Sequence, residues 1–534
     1  MTIPRPASQE AGFAFHGAPL LAVVLVFAPL IQAGNRPIPL LILELLALAL
    51  LVQVLSQPRP DFLRHLSRTM LAALAALLLM PLLHLLPLPE AVWTALPGRD
   101  FYAGALASAD IELGMRPLSL IPQMTEFSWL ALLVPVVVFV VTAGLPDARL
   151  KMLVQLFIGI AVFEAVIGLA QFGTGSATIL GAQGGLHGNS AIGTYANRDH
   201  LAGLLEMALP LALALLAASL QGGGSSGSPK VRHHHRPQLR QRLAMLFSHE
   251  FRFNHAALLG AASIAILLGL VFTRSRTGVA LGMLAIFLST LMFARRIGGG
   301  RSTGLISLIT VVGMMLALEI GLVPVLERFT DQSVAEDSRW SIYAGTLAGI
   351  GEFFPLGSGI GTFPGVYRRF QTEDIPMFVN HAHNDYLEWL FEGGLVAGAL
   401  IAVFLALYLL RWRQVWSSEA WSHLRFVQVA AGISLLLMGL HGLIDFNLHI
   451  PANAIFFAFL AGVFFHREAP PPVRKPKPAP IAAQPHSPSS AAPQSRVDAA
   501  GVQGTPTAAQ AEPELPVSSP AAAAQAPQHN PFMD

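Results

Sequence analysis

The chain contains no cysteine in its 534 residues. That excludes disulfide frameworks and thiolate metal sites, and it leaves the compartment open. Charge is scarce as well. Only 12% of residues are Asp, Glu, Lys or Arg, against about 25% in a soluble domain. Lysine occurs four times. A net charge of +2 decides nothing, and no nucleic-acid partner is expected. A cleavable signal peptide is also not expected. A single arginine, Arg5, precedes the first apolar stretch, which runs through a turn straight into a second one.

What fills the chain is apolar sequence: 53% hydrophobic residues and a mean hydropathy of +0.57. The apolar residues come in repeated runs of about 20, the length that crosses a bilayer core. Twelve spans are predicted, near 18–34, 37–56, 67–86, 127–145, 150–171, 199–220, 255–273, 277–294, 303–323, 386–410, 426–444 and 450–466. The expected fold is therefore an all-α polytopic membrane protein of about twelve transmembrane helices. Its long loop, 324–385, joins spans nine and ten. The tail 467–534 is Pro/Ala-rich with little to bury, and is expected to be disordered.

Charge asymmetry orients this arrangement. With both termini on the cytoplasmic side, 23 of the 33 Lys and Arg residues, including every lysine, fall inside. The ten outer cations are all arginine, and several gather at span mouths or in the long loop. Arg198, Arg274, Arg276, Arg339, Arg368 and Arg369 form the candidate set. Arginine offers a planar fork that grips phosphate in pairs of hydrogen bonds and stays charged at any physiological pH. Singly, each could anchor to lipid headgroups or pair with an acid; as a convergent set they point to a phosphate-bearing ligand. The histidine run VRHHHRP at 231–237 falls on the cytoplasmic side and reads as solvated basic loop.

Four segments carry chemistry: GTYANRDHLAG (193–203), TRSRTG (273–278), the stretch from DSRWSIYAGTL (337–347) through PLGSGIGTFPGVYRRF (355–370) to HAHNDYLEWLFEGGL (381–395), and HGLIDFNLHIPANA (441–454). In HAHND, Asp385 with Glu388 three residues on matches a capping box. That predicts a helix from about Tyr386 with His383 just outside its N-terminus. The positive end of the dipole disfavours imidazolium there, leaving a ring that can accept a proton. His383 is the expected base. His381, two residues back, points the same way if the stretch is extended, and would support it.

A metal reading competes. His381, His383 and Asp385 at i, i+2, i+4 could ligate zinc or manganese, and His441, Asp445 and His449 could line one helical face. Against it stands the capping role assigned to Asp385, and no metal or other cofactor is expected. Asp445 is expected to pair with an arginine, and Glu206, two turns below Arg198, with that residue. Glu44 and Glu164 also lie within spans, where a carboxylate is costly, and the sequence assigns them no role.

These segments, in this order, resemble the bacterial O-antigen ligase and polymerase superfamily over roughly 190–460. The family hallmark is His-Asn, nine residues, then Gly, which His383-Asn384 and Gly394 match. Where the family has Gly, Thr or Tyr three further on, this chain has Ala397. The resemblance implies a metal-independent glycosyltransferase of the GT-C kind. Its donor would be an undecaprenyl-pyrophosphate-linked glycan. Its acceptor would be a hydroxyl on lipid A–core, on a growing glycan or on a protein. It implies a bacterial inner-membrane location with both termini cytoplasmic, the loop 324–385 periplasmic, membrane lipids as neighbours and residues 1–466 as the catalytic domain. His383 and His381 become catalytic candidates, and the six arginines become pyrophosphate ligands. Asn384, Asp385, Glu388, Asp445, His449 and Glu206 are supporting. Protein O-oligosaccharyltransfer is a variant of the same chemistry. A twelve-span transporter or lipid flippase is the rival from another class, but no internal repeat is evident and the reactive residues gather at one face.

Overall fold

The computed structural model describes residues 17–56, 66–175, 190–222, 255–297, 334–373, 375–416 and 421–467. The expected ninth span at 303–323, nearly all of the 221–254 loop and the tail beyond 467 lie outside the described residues.

Three helices come first: α1 (Gly17–Leu30), α2 (Pro37–Leu55) and α3 (Arg68–His84). A minimal antiparallel ladder of β1 (Pro87–Leu88) and β2 (Arg116–Pro117) then encloses α4 (Glu90–Thr94) and α5 (Asp100–Ser108). Next are α6 (Pro122–Ala143), α7 (Asp147–Thr174), α8 (Arg198–Gly222), α9 (His255–Phe272) and α10 (Arg276–Ile297). The series closes with α11 (Val334–Phe353), the short α12 (Phe363–Val366), α13 (Asp385–Trp416), α14 (His423–His441) and α15 (Pro451–Phe465).

Eleven of the predicted spans coincide with one of these helices. Eight are long and apolar enough to cross a bilayer, while α1, α3 and α15 are shorter apolar helices. The protein is an all-α polytopic membrane protein. Helix starts follow local chemistry. Proline occupies the first turn of α2, α6 and α15, where its missing N–H costs nothing. Ser67 and Ser422 accept from Met70 N and Arg425 N to cap α3 and α14.

The helices differ in what surrounds them. In α8, 94% of the apolar window is buried, against α7, α9, α10 and α14; in α13 the figure is 22%. A helix apolar all round belongs in the middle of the bundle, and α8 is its axis. Most of α13 faces outward.

The loop predicted at 324–385 holds a 20-residue helix, α11, which packs on α13. Ile342, Thr346, Ile350 and Phe353 recur at helical spacing there, and Ile342 and Phe353 enter a small core with Phe363, Tyr367 and Phe391. Arg99 pins the β1–β2 segment to this layer. Its guanidinium is buried, donates to the Leu118 carbonyl, and lies 5.6 Å from the Trp93 ring and 5.8 Å from that of Phe353. Burial lowers it to about 10 without discharging it at neutral pH.

At Gly394 the backbone of α13 leaves helical geometry, with φ 54° and ψ −138°. The nine residues 385–393 thus form a separate stub before the membrane-length part. A Cβ at Gly394 would strike the Pro355 carbonyl oxygen and Gly357 N, so both the left-handed backbone and the close approach require glycine.

Candidate active site

The HAHND segment lies between the start of α13 and the connector from α14 to α15. Asn384, rather than Asp385, caps the α13 stub: its Oδ1 accepts from Tyr386 N and Leu387 N, both at 3.0 Å. The cap lies one residue earlier than expected, and no capping box forms: the third helical residue is Leu387, and Glu388 accepts from Ala382 N instead. His383 causes the shift, because its φ of +51° turns the chain and presents Asn384 to the free N–H groups. Asp385 becomes the first helical residue, and its carboxylate turns to the connector, where it accepts from Leu448 N at 3.2 Å and meets His449 Nδ1 at 2.7 Å.

The same turn separates the two histidines. His381 stacks on Phe446 at 4.3 Å and 20°, whereas His383 meets that ring edge-on at 5.0 Å and 78°. They do not point one way, as an extended stretch would require. His200, from the first turn of α8, approaches Phe446 at 4.8 Å. Phe446 is therefore the hub around which three imidazoles sit. Nothing in the sequence marks it, since a phenylalanine next to an apolar span is ordinary.

On one side of the hub, His381 Nδ1 lies 2.8 Å from Glu388 Oε1, and His449 Nε2 lies 3.3 Å from the same oxygen. Glu388 Oε2 accepts from Ala382 N at 2.7 Å. Burial would lower His449, but the Glu388 and Asp385 carboxylates outweigh it and raise the ring to about 10.

On the other side, His383 Nδ1 lies 3.5 Å from Asp445 Oδ1, the outer limit of a hydrogen bond, and has no closer partner. Burial alone would raise the Asp445 carboxyl. The contact with His383 and the nearby rings of His200 and His441 outweigh that, holding it well below the usual carboxylate range. Asp445 thus faces histidines, not the arginine expected for it. Glu206 likewise pairs with His441, both carboxylate oxygens 3.1 Å from Nδ1, instead of with Arg198. Glu164, which the sequence left without a role, accepts from Thr194 N at 2.9 Å and Thr194 Oγ1 at 2.8 Å. It anchors the loop leading into α8.

The six candidate arginines do not form one ring. Arg198 opens α8 two residues before His200, near Ser190 and Asp199. The 273–278 turn packs on α8, where Gly278 abuts Ala202, and Arg274 sits 5.3 Å above the Phe172 ring. Arg198, Arg274 and Arg276 accordingly gather at the mouths of α8, α9 and α10. Arg339 lies one turn from Tyr343, whose hydroxyl donates to the His383 carbonyl at 2.8 Å. By contrast, Arg369 is paired with Glu352 and packed on Phe101 and Phe370, and Arg368 covers Phe378. Those two hold the outer layer together.

Residues 261–402 match the family model described as O-Antigen ligase. That segment belongs to the O-antigen ligase/polymerase superfamily. It runs from α9 through α10, α11 and HAHND into α13, and so includes His381, His383, Asn384 and Gly394. The match supports glycan transfer of the ligase/polymerase type in general, and the apolar helices support a membrane protein. Two motif positions acquire physical reasons: Asn384 is the cap of the stub and Gly394 its break. Arg198, His200, Asp445 and His449 lie outside the matched residues yet converge on them. No curated protein matches the chain.

Two cavities adjoin the segment. One, of about 330 Å³, is apolar and runs between α3, α6, α13 and α15 up to Asp385 and Tyr386. The other, of about 280 Å³, is more polar and reaches His381, Glu388, Glu392 and His449.

Proposed function

We propose that the protein transfers glycan from an undecaprenyl-pyrophosphate-linked donor to an acceptor hydroxyl at the periplasmic face of the inner membrane, as an O-antigen ligase or an O-antigen or exopolysaccharide polymerase. The single observation carrying this reading is His383. It is half-buried on the matched segment and backed by an anionic Asp445. His200, shared through Phe446, links it to the arginine-bearing mouth of α8.

In this reading Asp445 fixes the proton of His383 on Nδ1 and leaves Nε2 with its lone pair. The acceptor hydroxyl loses its proton to Nε2 as its oxygen attacks the anomeric carbon. The bond from that carbon to pyrophosphate breaks, and its electron pair leaves on the pyrophosphate oxygen. Arg198, Arg274, Arg276 and Arg339 stabilise the charge that grows there. His381 supports the segment through Glu388. The apolar cavity beside Tyr386 has the lining that a polyprenyl chain needs. The matched family and the one-sided grouping of polar residues favour this reading over a transporter or flippase. Protein O-oligosaccharyltransfer differs only in the acceptor.

The deciding experiment reconstitutes the full chain in vesicles with a synthetic undecaprenyl-pyrophosphate glycan and offers lipid A–core, lipid-linked glycan or peptide as acceptor. Glycan joined to one of them supports the reading and names the branch. Donor translocation with no new glycosidic bond would overturn it.

A further inference from the structure

In the sequence, the helix cap expected of Asp385 stands against a metal site. Asn384 fills that role, and the folded chain assembles a different ligand set. A ring nitrogen of His381, a Glu388 oxygen and a ring nitrogen of His449 lie within 4.8 Å of one another. Each comes from a different local element: the turn before α13, the α13 stub and the connector before α15. We propose that His381, Glu388 and His449 form a binding site for a divalent cation of zinc's class.

The spacing fits. A zinc ion with bonds of ~2.0–2.1 Å sets tetrahedral ligand atoms about 3.3 Å apart. Glu388 Oε1 lies 2.8 Å from His381 Nδ1 and 3.3 Å from His449 Nε2. Two imidazoles and a carboxylate are ligands of borderline softness, suited to zinc and poorly suited to magnesium or calcium.

The surroundings fit as well. A metal-binding histidine generally donates its other ring N–H to a carboxylate, which fixes tautomer and ring angle. His449 does so to Asp385 at 2.7 Å, and Asp385 is itself held by Leu448 N. Glu388 keeps its second oxygen on Ala382 N. Asp385, Glu388 and Glu392 are all buried here, and no lysine or arginine lines the adjoining cavity. Three carboxylates and two imidazoles thus supply every ionisable group named at this cluster. The cavity of about 280 Å³, with Asn35 and Ser128 in its wall, supplies an entry path and an open fourth position. His383 is not among the ligands, because its ring is turned to Asp445.

This inference stands apart from the glycan-transfer reading, and either can fail alone. The test uses the full chain in detergent with His233, His234 and His235 replaced by serine, so that the cytoplasmic histidine run does not compete. After chelator dialysis the protein is given Zn2+, desalted, and measured by elemental mass spectrometry and zinc-edge X-ray absorption. The expected result is about one zinc per chain, with two imidazoles and oxygen in the absorption spectrum. Asp385→Asn should weaken zinc binding by roughly 10- to 100-fold, the usual effect of losing a supporting carboxylate. His449→Ala should abolish it. If that variant does not fold, the absorption spectrum of the protein with its ligands intact decides. No zinc retained, a spectrum without two imidazoles, or Asp385→Asn and His449→Ala both binding like the parent would each overturn the proposal.

Discussion

His381 and His383 are separated by one alanine and touch the same phenylalanine, yet the chain puts them to different uses. His381 is stacked flat and tied at 2.8 Å to Glu388, which also meets His449 and a backbone N–H. His383 stands edge-on, 30% exposed, with Asp445 at 3.5 Å as its nearest polar neighbour. The difference comes from one backbone angle, the left-handed φ at His383, which sends the second ring to the opposite flank. A ring stacked flat and tied to a buried carboxylate holds structure, whereas a ring with one loose carboxylate neighbour keeps an open edge.

That contrast predicts unequal losses. His383→Ala should lower kcat by about 10²–10⁴, the contribution of a positioned base, while circular dichroism shows the fold retained. His381→Ala should cost under about tenfold in kcat but about 1–3 kcal/mol of stability, because it removes a partner of the buried Glu388 carboxylate. Equal losses of activity in the two variants would abolish the distinction.

Asp445→Asn comes next. Loss of a charge-assisted partner is worth about 1.5–3 kcal/mol, which is roughly a 10- to 100-fold fall in kcat. The same variant has a signature in pH. A carboxyl held below its usual range stabilises the fold above the unfolded value of about 3.9, and the contribution disappears as pH falls through the folded value. Melting temperatures should therefore separate parent and variant at pH 7 and begin to converge only as the pH falls below about 4. A gap that is constant with pH would show that Asp445 contributes shape alone.

Gly394→Ala should destabilise by at least ~1–3 kcal/mol, the cost of a strained left-handed residue, and more from the clash with the 355–357 backbone. Chemical denaturation would read it. A neutral result would mean that the stub and the membrane-length part of α13 are independent.

The sequence exposed what depends on local composition and concealed what depends on distant partners. Apolar runs located the described helices α1–α3, α6–α10 and α13–α15 because membrane length and hydropathy are local quantities. Helix α11 escaped because DSRWSIYAGTLAGIGEF has too mixed a pattern to read as a span, and its helix is held by tertiary packing on α13. Asp385 looked like a cap because Asp-x-x-Glu is a capping pattern. His449, 64 residues away, claims its carboxylate instead. Glu206 and His441 find each other across 235 residues, which no spacing rule reaches. The arginines were legible as a set but not as two groups, since Arg369 has Glu352 and aromatic rings that only the folded outer layer supplies.

Asn384 gives the smallest effect and the finest resolution. Its Oδ1 caps the stub, and its Nδ2 donates to the Leu443 carbonyl at 2.8 Å, two residues before Asp445 in the connector. One side chain thus sets both the start of the helix behind His383 and the position of the carboxylate facing it. Asn384→Ala should lose about 1 kcal/mol through the cap, together with activity. Asn384→Ser restores an N-cap acceptor but cannot reach Leu443. If the Asn384–Leu443 bond positions Asp445, serine recovers the melting temperature and leaves kcat low. If serine recovers both, the second residue of the hallmark pair is a cap and nothing more, and the connector bearing Asp445 is held by Asp385 and Phe446 without it.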